Sequence, residues 1–337
     1  MTSMPFTVLF LNAGRRCELV EGFREALSRR VEFRILGSDI SPLAPALQVV
    51  DEAILLAGGD TAAFADQLLD LCAEREVDLV IPTIDPDLER LDALRERFAQ
   101  EVPRTRVLLS PRETIRLARD KRLSRERFAA AGLDVPRAVD PRSDADFPVF
   151  VKPPDGSASE GARRISSSRE LAVALAERAD LIIEEVVSGD EFTVDTLCDF
   201  AGAPLLAVCR RRLKTRGGEV LQGVVAQRAD VVDAARRAAV AFAATGPVTV
   251  QFRVSPERIV AMEINARLGG GLPLAIAAGA DWPGLIVDMC LGNPLTLPTR
   301  IEDGLFMTRS DRSYFLRRED LDALEEARRP LLRSRQE

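Results

Sequence analysis

None of the 337 positions of this chain is a histidine. That absence removes hydrolases that lean on an imidazole base, zinc enzymes with histidine ligands, and histidine phosphotransfer. Whatever chemistry the chain performs runs on lysine, arginine, carboxylates, amides and bound metal. Cysteine is scarce and scattered: Cys17, Cys72, Cys198, Cys209 and Cys290 are odd in number and lack metal-ligand spacing, as expected for thiols in a reducing cytoplasm. No apolar run approaches membrane-spanning length. The N-terminus lacks a basic-then-apolar signal, because 6–11 reads as a strand that stops at Asn12. The expectation is a cytoplasmic protein without membrane contact. Net charge is −7 with no basic block, so nucleic acid is not an expected partner and phosphate affinity should be local.

Hydrophobic residues at 46% and charged residues at 29% are ordinary for a globular chain, and the length allows two or three domains. Short apolar runs at 6–11, 33–37, 53–56, 79–82 and 107–109 alternate with helical patterns at 18–30, 62–74 and 87–100. In the last, Leu88, Leu91, Leu94 and Phe98 form a stripe at helical spacing. This alternation predicts a parallel sheet with helices on its faces. A dinucleotide site is not expected there: the turn after the first strand, 12–16, holds one glycine instead of a fingerprint. Helices are expected at 111–118 and 121–131. A small α+β unit follows, with a strand at 147–152, a turn-rich loop, a helix at 168–179 and a strand at 181–185. Strands at 191–198 and 205–211 come next, then a polar loop at 213–223, a helix at 232–244 and a hairpin. The fold class is α/β followed by α+β.

The hairpin carries the strongest signal. In 248–265 (VTVQFRVSPERIVAMEIN), Glu263 and Asn265 are two apart and share a strand face. With the turn centred near Glu257, Gln251 falls opposite Glu263 on the partner strand. Three oxygen donors without histidine or cysteine suit a hard cation such as Mg²⁺, with Mn²⁺ as an alternative. Arg267 and Gly269, Gly270 and Gly271 follow, offering a positive fork and backbone N–H groups to phosphate. Upstream, Lys152 ends a strand and runs into a loop with Gly156, Ser157, Ser159 and Gly161, which reads either as a flexible turn or as a phosphate cradle. It lacks the Walker spacing. In 181–187 (LIIEEVV) an apolar strand ends in two acids, and Glu191 lies just beyond. Lys121, after Asp120, reads by itself as a solvated helix charge.

The order Lys121, Lys152, serine-rich loop, Glu185-Val-Val187, Glu191, Gln251, Glu263-x-Asn265-x-Arg267 resembles the ATP-grasp superfamily. It is most similar to the carbamoyl-phosphate-synthetase-like branch, which includes stand-alone amino-acid ligases such as the pyrrolysine-pathway ligase. The segments VLFLNAGRRCELVEGF, GSDISPLAPAL and VIPTIDPDLERL also resemble that branch's N-terminal domain. The resemblance runs over roughly residues 8–297. It implies an N-terminal Rossmann-like domain at 1–118, a lid at 119–186, a C-terminal subdomain with the metal site at 187–303, and a tail at 304–337 docked on the core. It also implies that Lys121 and Lys152 bind ATP phosphates under a lid formed by 156–161. Backbone groups at Glu185 and Val187 would read adenine, and Glu191 would hold ribose. Gln251, Glu263 and Asn265 would bind Mg²⁺, and Arg267 would stabilise the transferring phosphoryl group.

The implied reaction is ADP-forming ligation of a small-molecule carboxylate to an amine through an acyl phosphate. Carboxylate kinase or biotin-carboxylase-like activity is a second reading, and a nucleotide-binding module without turnover is a third. The acceptor pocket is open between two clusters, Arg210, Arg211, Arg212, Lys214 and Arg216, or Arg15, Arg16 and Asp85. The segment 282–291 and the charged tail are candidate contacts of a homodimer.

Overall fold

A computed structural model of the chain describes residues 4–58, 62–140, 147–156 and 160–333. It forms two compact units, the first made of Met1–Leu109, Asp281–Pro298 and Ser310–Glu337, the second of Ser110–Ala280 and Thr299–Arg309. The first unit therefore draws Asp281–Pro298 and Ser310–Glu337 from segments far along the chain.

In the first unit, β1 (Phe6–Leu11), β2 (Phe33–Asp39), β3 (Glu52–Leu55), β4 (Leu79–Pro82) and β5 (Arg106–Val107) form a parallel sheet ordered β3-β2-β1-β4-β5. The strands are apolar on both faces because helices cover both. β1 is buried along its whole length. The stripe at 88–98 packs inward as expected: Leu88, Leu91 and Phe98 are buried. It is carried by two helices, Asp85–Ala93 and Arg95–Glu101, that meet at Leu94 instead of one continuous helix. Asp39 accepts hydrogen bonds from the Gly14 and Ser41 N–H groups at 2.9 and 3.0 Å, so the acid that closes β2 shapes the loop after β1. The segment 282–291 is interior to this unit. Trp282 is fully buried, and Arg30 fixes the helix Trp282–Leu291 through Asp281 (2.8 Å) and Asp288 (3.0 Å). Helix Arg318–Arg333 contributes Leu324, which packs on Ala44, Leu47 and Leu55.

The second unit contains two antiparallel sheets. β6 (Val149–Lys152), β7 (Arg163–Ile165) and β8 (Ile182–Glu185) are ordered β7-β6-β8, with Val149, Val151, Ile165 and Ile183 facing the helix Ser168–Glu177. Ser167 caps that helix by accepting from the Glu170 N–H. The larger sheet comprises β9 (Asp190–Cys198), β10 (Pro204–Arg216), β11 (Glu219–Val225), β12 (Gly246–Val254), β13 (Ile259–Asn265) and β14 (Phe306–Thr308), ordered β13-β12-β9-β10-β11-β14. The stretch 213–223 is therefore a hairpin and not a loop. Arg216 pairs with Glu219 around Gly217 and Gly218, whose φ values of 55° and 79° are those of a two-residue turn matched to strand twist.

Candidate active site

The hairpin of β12 and β13 is built around a turn in which the Ser255 N–H donates to the Arg258 carbonyl at 2.9 Å. Val254 stands opposite Ile259 and Phe252 opposite Ala261. Continued without interruption, that register would set Gln251 opposite Met262 and leave Glu263 on the other face. A one-residue bulge intervenes: Gln251 faces Glu263, and Thr249 faces Asn265. Bulges of this kind re-aim side chains beside functional sites. The sequence-based pairing of Gln251 with Glu263 is observed, but it arises from a turn one step earlier together with this bulge.

The register carries the same face across the sheet. β9 sets Glu191 opposite Arg253, Thr193 opposite Gln251 and Asp195 opposite Thr249, and β10 sets Arg210 opposite Thr193. These polar residues lie on one face, while Phe192, Val194, Val250 and Phe252 are buried on the other.

Lys121 opens the helix Lys121–Ala130, which Asp120 caps by accepting from the Arg122 N–H at 2.8 Å. Its backbone N–H donates to the Pro154 carbonyl at 2.8 Å, and its ammonium donates to the Gly156 carbonyl at 2.9 Å. The lysine thus holds the root of the glycine-serine loop. Ser157 and Ser159 lie outside the described residues. Burial pulls the Lys121 pKa below the ordinary lysine range. The Glu263 carboxylate opposes that shift and the Lys152 charge adds to it. Lys121, Lys152 and Glu263, distant in sequence, are therefore electrostatic neighbours.

Lys152, at the end of β6, donates to Glu184 Oε1 at 2.6 Å, with side chains only 11% and 2% exposed. Lys152 is thus a paired cation. The second oxygen, Glu184 Oε2, is buried without a hydrogen-bond partner. Glu185 ends β8, and its N–H donates to the Arg137 carbonyl at 2.9 Å. Its carboxylate accepts from the Arg137 N–H and from Arg258; these bonds outweigh burial, which acts in the opposite sense, and hold its pKa below the usual range. Val187 is half-buried in the connection from β8 to β9. Glu191 is bracketed by Arg212 and Arg253.

Beyond β13, Arg267 is half-buried and donates to the Leu268 carbonyl at 3.3 Å. The glycines that follow are explained by close packing. A Cβ on Gly269 would come within 2.7 Å of Thr249 Oγ1 and 2.8 Å of Asp195 Oδ1, and one on Gly271 within 2.2 Å of Arg210 Nη1. The helix after them, Leu272–Ala277, spans only six residues. Three arginines of the 210–216 cluster are held by carboxylates, whereas Lys214 and Arg216 are exposed. Arg210 is buried against Asp195, Arg212 holds Glu191, and Arg211 pairs with Asp190 at 2.9 Å. The other acceptor cluster lies in the first unit. There Arg15 pairs with Asp311, Arg16 donates to the Thr83 carbonyl, and Asp85 begins a helix.

Among the described residues no group of three or more His, Cys, Asp or Glu side chains gathers to hold a metal. A cation on Gln251, Glu263 and Asn265 would take one charged and two amide oxygens from the protein, so the rest of its shell must come from ligand or water. Sequence reasoning missed Asp195, Thr249 and Arg309, gave Glu184 no role, and placed Arg210 in an acceptor cluster instead of a buried pair with Asp195. Each works through a long-range partner that local spacing does not reveal.

Two protein families match the chain: one described as ATP-grasp in the biosynthetic pathway with Ter operon, over residues 177–311, and one described as PylC-like, N-terminal domain, over residues 8–104. The 3-methyl-D-ornithine–L-lysine ligase of Methanosarcina mazei is 30% identical over 183 residues, covering 53% of this chain and 44% of that protein. The D-alanine–D-alanine ligase of Kineococcus radiotolerans is 29% identical over 187 residues, covering 45% of this chain and 50% of that protein. The chain thus spans half or less of the length of these curated relatives. Among solved structures, N5-carboxyaminoimidazole synthetase from Staphylococcus aureus complexed with ADP superposes with a TM-score of 0.71 at 17% identity, covering 97% of this chain and 87% of that one. The L-amino acid ligase from Bacillus licheniformis gives 0.66 at 18% identity, covering 86% and 75%.

Proposed function

We propose that this chain, which belongs to the ATP-grasp superfamily, is an ADP-forming ligase that joins an amino-acid carboxylate to an amine through an acyl phosphate. The observation that carries this reading is the in-register pair Gln251–Glu263, with Asn265 on the same face and the lysines at 121 and 152 within electrostatic reach of Glu263 or of each other. The names of the two curated relatives support the substrate class, since each describes a ligase of amino acids.

The residues fit a metal–nucleotide ligand. Amide and carboxylate oxygens suit Mg²⁺, or Mn²⁺, bound jointly with phosphate oxygens. The orphaned Glu184 Oε2 is a buried acceptor that an amino group on a base would satisfy. A bound divalent ion would neutralise phosphate charge and align the transferring group. Lys121 and Lys152 hold phosphate oxygens, Glu191 holds the ribose, backbone groups at Glu185 and Val187 read adenine, and Arg267 meets charge on the phosphoryl group in flight. The lid, within 119–186, covers the phosphates and keeps water from the acyl phosphate. The substrate carboxylate attacks the γ-phosphorus and ADP leaves. The amine then attacks the acyl carbon and phosphate leaves. With no histidine in the chain, the amine proton passes to a carboxylate or to the departing phosphate.

The test is ADP and phosphate release with a panel of amino acids, and mass spectrometry of the products. Amine-dependent ADP release with a condensed product is expected, and the Glu263→Ala variant should fold but lose this turnover. ATP binding without stimulated turnover by any pair would overturn the ligase reading.

A further inference from the structure

Behind the loop that carries Arg267 lies a buried polar frame whose side chains bond to one another and to the loop backbone. Arg210 and Asp195 are each 2% exposed and meet through two bonds, Nε to Oδ2 at 2.6 Å and Nη2 to Oδ1 at 3.2 Å. The Thr249 hydroxyl stands between two acceptors, Asp195 Oδ1 at 3.2 Å and the Arg267 carbonyl at 3.4 Å, and its single proton is shared between the buried pair and the loop. On its other side the loop is gripped by Arg309, which donates to the Gly270 carbonyl at 2.8 Å and to the Val220 carbonyl of β11 at 3.1 Å. Gly269 and Gly271 are the spacers that let the loop settle onto this frame, since a methyl group at either would collide with it. Thr249 is also the register partner of Asn265.

We propose that Asp195, Arg210, Thr249 and Arg309 are positioning residues that fix the backbone of residues 267–271, and through it the Arg267 guanidinium, relative to the Glu263–Asn265 strand end. Only the catalytic part of this proposal rests on the ligase reading, through the role given there to Arg267. The frame explains why Thr299–Arg309 belongs to the second unit: this segment delivers β14 to the sheet edge and Arg309 to the loop. It also explains Arg210 of the 210–216 cluster without an acceptor substrate. Arg210 belongs to the frame, and Arg212 to Glu191.

The experiment uses the full chain and the variants Thr249→Val, Thr249→Ser, Arg309→Ala and Arg309→Lys, alone and with Arg267→Ala. Hydrogen exchange at the amides of residues 268–271 should accelerate about tenfold or more in Thr249→Val and Arg309→Ala, with Thr249→Ser close to the parent. In the ligase assay the same two variants should lower kcat about tenfold or more at nearly unchanged KM for ATP, because a small displacement of a group that acts in the transition state is felt in kcat. In the Arg267→Ala background neither should lower kcat further. Unchanged exchange overturns the frame. Losses of kcat that add fully to that of Arg267→Ala overturn its action through Arg267. A parent protein that releases no ADP with any amino acid defeats the ligase reading, while the exchange data still decide the frame.

Discussion

Glu184 shows how far a single side chain departs from what its neighbours in sequence suggest. It stands beside Glu185 in an apolar strand that ends in two acids, and nothing local separates them. Glu185 is bound at the surface by Arg137 and Arg258, whereas Glu184 is buried against Lys152 with one oxygen left unpartnered. Two adjacent strand residues point to opposite sides, so one acid must go in when the other goes out. Removing one member of a buried ion pair leaves the other desolvated and uncompensated. Glu184→Ala should therefore destabilise the protein by ~3 kcal/mol, measured by urea unfolding, while Glu184→Gln, which keeps an acceptor for Lys152, should cost clearly less. The double variant Glu184→Leu/Lys152→Met, which replaces the charges by apolar groups, should recover most of the stability lost in Glu184→Ala. Equal losses for Glu184→Ala and Glu184→Gln, or no recovery in the double variant, would show that the pair is not a desolvated one.

Among the elements, β1 and β4 were legible because buried apolar runs bounded by turns leave few alternatives. The β12–β13 hairpin was legible from its alternation, although its bulge was not, because an inserted residue leaves no mark in the residue types themselves. The β10–β11 hairpin escaped for a specific reason. Residues 213–219 are all exposed, so there is no buried face for a period of two to alternate against. Its only local signal is the pair Gly217-Gly218, which is also an ordinary loop signature. Ladder hydrogen bonds should nevertheless protect this segment. Limited trypsin digestion should cut the native protein slowly after Lys214 and Arg216 despite their exposure. Gly218→Val forces a β-branched residue to a φ of 79°, which costs about 1–2 kcal/mol or more. Cleavage there should then become fast, while global stability changes little. Rapid cleavage at both residues in the parent protein would contradict the hairpin.

At the scale of the whole molecule, four of the five scattered cysteines take on a common role. Cys72 and Cys290 belong to the first unit, Cys198 and Cys209 to the second, and burial pushes each thiol up to about 12 from an ordinary 9.0. A raised native pKa means that the folded chain keeps a proton which the unfolded chain releases. The contribution of each thiol is therefore complete below pH 9 and declines as pH rises from 9 toward 12, by ~1.4 kcal/mol per pH unit per thiol. Lys121 acts in the opposite direction. Its pKa is lowered by burial, so between its native value and 10.5 the unfolded chain holds the extra proton and stability rises with pH. One lysine of that sign stands against four thiols, so the balance is alkaline loss. Urea unfolding under reducing conditions should give a falling free energy from pH 9 upward. Where the units unfold in separate steps, both steps should weaken, because each contains thiols of this kind. In the Cys198→Ala/Cys209→Ala variant the slope should flatten for the second unit alone. An unfolding free energy that stays level to pH 11, or a slope untouched by that double substitution, would mean that these thiols ionise as readily in the folded chain as in the open one.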